Sequence, residues 1–141
     1  MEVRDAVEND APALAEVADA PEDVMRNLIH DRSVRVAIED GADAGPNADA
    51  EEVGESILGF VSFDARPKAV HVTQLGGTTE ACERLLEEPL SFARREEMSV
   101  ELLIPNGKDR LRDAAEGVGF QHEGAGPRFE GRPTARYRLE P

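Results

Sequence analysis

This chain of 141 residues has one cysteine, two lysines, one tyrosine and no long apolar run. The single cysteine, Cys82, excludes an internal disulfide and any multi-cysteine zinc site. No segment approaches the roughly 18 consecutive apolar residues that a membrane helix requires. The opening Met1-Glu2-Val3-Arg4-Asp5 is too polar and acidic for a signal peptide. These absences point to a soluble, cytoplasmic protein with no membrane partner. Its two lysines, Lys68 and Lys108, belong to a set of 16 basic residues facing 30 acidic ones, for a formal net charge of −14. Non-specific nucleic-acid binding depends on basic groups that neutralise phosphate, so that class is excluded. Surplus carboxylate with scarce lysine reads as halophilic adaptation, because molar salt cuts the Debye length to about 3 Å and makes such self-repulsion tolerable. A dedicated cationic partner is the alternative.

The length fits a single domain over residues 1–141, large enough to bury a core without staples. Met1–Ala6 predicts a first strand. Asp10 and Pro12 mark the start of a helix carrying Leu14, Val17 and Ala18 at helical spacing. Pro21-Glu22-Asp23 opens a second helix, and Val34, Val36 and Ile38 alternate as a strand. The segment Glu39–Ser56 holds seven acids and no basic or aromatic residue, which predicts a mobile loop. Ile57–Phe63 and Ala69–Leu75 read as a hairpin around Pro67. A helix with Leu85, Leu86, Leu90 and Ala93 follows, then a buried strand at Val100–Ile104. A last helix ends at Gly119, and two closing strands lie near Phe120–Glu123 and Ala135–Leu139. The fold class is therefore α/β: a mixed, mostly antiparallel sheet of six or seven strands flanked by four helices.

Chemistry concentrates at the strand-to-helix joint Gln74-Leu75-Gly76-Gly77-Thr78-Thr79. A helix N-terminus offers unpaired amides and the positive end of a dipole, and glycines before it let a phosphate approach. Read alone, the joint is first an ordinary turn with Thr78 or Thr79 as a helix cap, since two glycines before a helix are common. Lys108, Arg110 and Arg112 form the one concentrated basic stretch outside the tail, suited to an anion or to a solvated helix face.

The order of these elements resembles the GNAT-type N-acetyltransferase superfamily. Val3 to Leu14 looks like that family's first strand and helix, and Gly119-Phe120 with the closing strands looks like its ending. Leu85-Leu86 with Ala93 resembles the helix after its acetyl-coenzyme A loop. The resemblance implies acetyl-CoA as co-substrate, bound where the fourth and fifth strands splay, with Gln74 to Thr79 and Lys108 around its phosphates. It implies an amine acceptor, a small molecule or a peptide, and is compatible with a homodimer. The family's loop pattern ends on a small residue, and in the register of Gln74 and Gly77 Thr79 replaces it. Its usual tyrosine acid falls on Ala115, and the one tyrosine is Tyr137. His71, on the strand before the loop, is the first choice of base, because an imidazole titrates near neutrality. Glu101 on the neighbouring strand is the second. The alternative function is a catalytically silent GNAT-like module that binds an acyl-CoA or a protein.

Overall fold

The computed structural model describes residues 1–39, 57–128 and 131–140. The acidic segment expected to be a loop lies outside the described residues, apart from Glu39. The chain runs β1 (Glu2–Asp5), a single 3-10 turn (Glu8–Asp10), α1 (Ala11–Ala18), α2 (Glu22–Asp31), β2 (Ser33–Ile38), β3 (Ile57–Ala65) and β4 (Ala69–Gly77). It continues through α3 (Thr79–Arg95), β5 (Ser99–Pro105), α4 (Asp109–Val118), β6 (Gln121–Ala125) and β7 (Thr134–Leu139). Seven strands form one sheet in the order β1-β2-β3-β4-β5-β7-β6. Every pairing is antiparallel except β4 with β5, the pair joined by the long α3 crossover that a parallel connection demands. No helix among the described residues is long and apolar enough to cross a membrane.

Alternation along the strands builds two cores. Val61, Val70, Val72, Val100 and Leu102 turn to one face and meet Leu85, Leu86 and Leu90 of α3 and Ala115 of α4. Val34, Val36, Ile38 and Phe60 turn to the other and meet Leu14 of α1 and Met25 of α2. Helices thus cover both faces, as the patterning predicted.

Two local details differ from the sequence reading. Asp10 precedes α1 but makes no cap bond to it. Its carboxylate instead takes Arg4 at 2.8 and 2.9 Å and accepts the Val7 N–H at 2.8 Å. Burial pushes this carboxyl up, yet the Arg4 hydrogen bond, the Val7 N–H and the Arg4 charge together bring it below the usual range. The second difference is at β4, which extends through Gly77, so that only Thr78 separates strand from helix. The glycines there are part of the sheet.

Candidate active site

Strand β4 changes neighbours halfway along. Its pairing with β5 runs from Ala69↔Ser99 to Val72↔Leu102 and stops. Beyond that point β4 stays paired with β3 as far as Gly77, and β5 stays paired with β7 as far as Pro105. A gap in the ladder therefore opens between the C-terminal halves of β4 and β5. At its vertex β4 bulges: Phe63 faces Val72 and Ser62 faces Gln74, which leaves Thr73 as the extra residue. The Thr73 hydroxyl donates to the Ser62 carbonyl at 3.1 Å and lies 2.7 Å from the buried Ser62 hydroxyl. This pins the bulge to β3.

The N-terminus of α3 stands at the end of β4. Thr78 caps it, its hydroxyl accepting the Ala81 N–H at 3.1 Å, while the Thr78 N–H donates to Leu58 O at 3.0 Å. The first-turn amides of Thr79 and Glu80 have no intrahelical acceptor by the geometry of a helix. Arg110 of α4 reaches the same place and donates to Gly77 O at 3.4 Å. The glycines are fixed by packing: a Cβ on Gly77, whose φ is +122°, would lie 2.2 Å from Leu58 O. A Cβ on Gly76 would lie 3.0 Å from the Phe60 ring. Gln74 is exposed beyond the bulge, and Leu75 packs against the core under α3. Lys108 is placed differently from Arg110. It lines a cleft of about 650 Å³ with Asn106, Arg112, His122 and Tyr137. Arg110 and Gly117 face α3, the latter with its Cβ position 3.5 Å from Glu83.

His71 and Glu101 are register partners across β4 and β5, one step before the gap opens. Their neighbours Val70, Val72, Val100 and Leu102 point into the α3 core, so this pair faces the opposite side of the sheet. His71 Nε2 is 3.5 Å from one Glu101 oxygen, and Arg138 Nη1 of β7 is 3.7 Å from the other. Asp64 of β3 stands opposite His71 and is held by Arg32 at 2.7 Å and Arg66 at 3.5 Å. The imidazole thus lies between the carboxylates of Asp64 and Glu101, with 38% of its side chain open to solvent. Leu103, two residues past Glu101, is exposed on the same side. The sequence reading named His71 and Glu101 but did not place Asp64 or Arg138 beside them, nor Arg110 at Gly77; it counted Arg110 only in a basic stretch suited to an anion. Only strand register brings Asp64 and Arg138 to this pair, and only the packing of α4 on α3 brings Arg110 to Gly77.

Two side chains are withdrawn from this chemistry. Cys82 is fully buried, and burial pushes its thiol up to about 11, with Arg110 opposing and Glu83 adding. Tyr137 is also buried, its ring 5.2 Å from that of His122. Burial raises its phenol, Glu116 and Asp113 add to the rise, and Arg112 opposes it. Ala115, at the place the resemblance gives to a tyrosine acid, is a core residue of α4 itself.

No protein-family model and no curated protein sequence matches the chain. Its architecture does match solved structures. Ard1 from Thermoplasma volcanium superimposes with a TM-score of 0.74 at 14% identity, over 99% of this chain and 96% of that one. Arabidopsis thaliana NAA60, solved in complex with acetyl-CoA, gives 0.72 at 12% identity, over 99% and 97%. The ribosomal-protein-alanine N-acetyltransferase of Brucella melitensis gives 0.70 at 15% identity, over 99% of both chains. With its one parallel pair parting beside a capped helix, the chain has the fold of the GNAT-type N-acetyltransferases.

Proposed function

We propose that this protein is an acetyltransferase that moves an acetyl group from acetyl-CoA to an amine acceptor, a small molecule or a peptide. The carrying observation is the gap between β4 and β5, with the Thr73 bulge at its vertex and the capped N-terminus of α3 at its end. Strand edges that have lost a partner expose amides and carbonyls able to bind a chain-like ligand. The donors at the far end suit an anion: two first-turn amides, the positive end of α3 and the Arg110 guanidinium. Glu80, exposed in that first turn, weakens the field. Gln74, Leu75, Gly76, Gly77, Thr78 and Thr79 border this path, whereas Lys108, at the start of α4, lines the neighbouring cleft.

Acetyl-CoA supplies the acetyl group as an activated thioester. His71 takes a proton from the incoming ammonium, directly or through a water, so that a neutral amine attacks. Glu101 orients the imidazole and favours the cation it becomes, and Arg138 steadies Glu101. Glu101 is the base that takes over if His71 is dispensable. Ala115 donates no proton, so the thiol leaves as an anion, tolerable for a group of pKa about 8.5. That alanine, with Tyr137 enclosed beneath α4, favours the second reading: a catalytically silent module that binds an acyl-CoA or a protein.

Two measurements in molar potassium chloride test these readings. Acetyl-CoA should raise the melting temperature, by an amount equivalent to roughly 2.7 kcal/mol at about 100 times its dissociation constant. Arg110→Glu should weaken that binding at least tenfold and leave the ligand-free melt nearly unchanged, since Arg110 is exposed. Free thiol should then appear with some member of a panel of amines and peptides. Binding without turnover selects the silent module, and no binding removes both readings.

A further inference from the structure

A second cavity lies beside the C-terminal half of α3, with a volume of about 430 Å³. Arg35 of β2 and Phe63 of β3 form its floor, and Glu88, Phe92 and Arg95 of α3 form its wall. The three helical residues fall at i, i+4 and i+7, one face of a helix. Ser91, also on this wall, is 12 residues past Thr79, about 18 Å along the axis. The cavity is therefore separate from the α3 N-terminus.

Its charges are only partly paired. Arg35 places Nε 2.8 Å from Asp5 Oδ1, and its carbon Cζ lies 5.6 Å from the centre of the Phe63 ring. The ion pair with Asp5 runs through Nε, which leaves the two Nη groups as further donors of Arg35. Arg95 sits 5.9 Å over the ring of Phe92, and neither it nor Glu88 has an ion-pair partner among the described residues. Seven positions separate Arg95 from Glu88, about 10 Å along the helix, so they do not neutralise each other. Arg95 near the end of α3 favours the helix dipole. That accounts for neither Arg35 on the facing strand nor the two aromatic rings between them.

We propose that this cavity binds a free amino acid with an apolar side chain, held as its zwitterion. The carboxylate bonds the Nη groups of Arg35 and the guanidinium of Arg95. The ammonium bonds Glu88, and the side chain lies against Phe63 and Phe92. A simple anion meets Glu88 and the repulsion of a chain with net charge −14. A zwitterion carries no net charge and uses every charged group in the cavity.

The test is calorimetric titration with three probes of one shape: phenylalanine, 3-phenylpropionate and 2-phenylethylamine. Phenylalanine should bind most tightly, and the two analogues at least tenfold more weakly, because each forfeits one charge-assisted contact. Arg95→Gln should weaken phenylalanine roughly tenfold to a hundredfold. Glu88→Gln should erase the preference for phenylalanine over 3-phenylpropionate. Circular dichroism confirms that each variant folds, and acetyl-CoA binding should be unaffected in both. No heat with any probe at millimolar concentration overturns the proposal, as does unchanged binding in Arg95→Gln. Equal affinity for 3-phenylpropionate and phenylalanine overturns the zwitterion and leaves an anion site.

Discussion

The two halves of β4 differ in what surrounds them. Residues 69–72 have a strand on each side, and Ala69, Val70 and Val72 are buried. Residues 73–77 have only β3, and their side chains are exposed or half-buried. The second half has lost β5 without becoming loose. Gly76 and Gly77 are pressed onto β3, Thr73 is tied to Ser62, and Thr78 is tied to Leu58. An edge that is open yet held on its other side can bind a ligand without first being ordered, which lowers the entropic cost of binding. Stability comes from the complete ladder, and the proposed binding site is the place where it is broken.

Gly77→Ala should break this arrangement most severely. Its Cβ would stand 2.2 Å from Leu58 O and 2.4 Å from Gly59 Cα, both backbone atoms that cannot swing aside. With φ at +122° as well, we expect a loss of about 4 kcal/mol or more in urea melts. Gly107→Ala is the control. Gly107 has φ +92° but nothing within 4 Å of its Cβ position, so strain alone should cost about 1 kcal/mol. Equal losses in the two variants would show that β4 is not pressed onto β3.

His71→Ala acts on chemistry instead of packing. Turnover should fall about 10²- to 10⁴-fold, with acetyl-CoA affinity nearly intact, because a base acts on the amine and not on the phosphates. A thiol-release assay decides it. Undiminished turnover would pass the role to Glu101, and a parallel loss of cofactor affinity would show that His71 supports the gap itself.

Much of this was legible in the sequence because the signals are local. Seven strands and four helices follow from apolar periodicity and from Gly and Pro punctuation, as with Val34, Val36 and Ile38 or the stop at Gly119. The role of the glycines was not legible. In sequence Gly76 and Gly77 read as an ordinary turn or as a loop open to phosphate, and neither reading shows the close approach of Phe60, Leu58 and Gly59 from a strand more than a dozen positions earlier. Arg138 and Asp64 were missed at His71 for the same cause. Register pairs them with residues up to 37 positions away, and composition carries no trace of register. Lys108 and Arg110 were indistinguishable as neighbours in sequence. The rotation of α4 alone sends Arg110 to Gly77 and Lys108 to the other cleft.

Thr73→Val tests the vertex between the halves. It deletes the hydroxyl that meets Ser62 and leaves the Ser62 hydroxyl buried without its partner. The expected cost is about 1–2 kcal/mol. Adding Ser62→Ala should recover part of it, because the stranded group is then gone, and a double-mutant cycle reads the coupling. Strictly additive losses would mean that the two hydroxyls do not hold the bulge.

At neutral pH the effect at Cys82 is nil, and it emerges only in alkali. Its amide donates to Thr78 O at 2.9 Å, and its side chain is fully buried in the first turn of α3, at the end of β4. It therefore reports whether the second half of β4 is closed to water. Its thiol is raised from 9.0 to about 11 by burial, helped by Glu83 and opposed by Arg110. A group raised on folding contributes stability that is complete below its unfolded pKa and is lost as pH climbs toward the folded one. Wild type should accordingly keep a constant margin over Cys82→Ala below pH 9 and lose it progressively between pH 9 and about 11. The loss should not exceed roughly 2–3 kcal/mol. Iodoacetamide should label the native protein far more slowly than the urea-unfolded chain, since the thiolate and not the thiol reacts. Equal labelling rates, or a margin flat through alkaline pH, would mean that water reaches Cys82 from the gap and that the open half of β4 is loose.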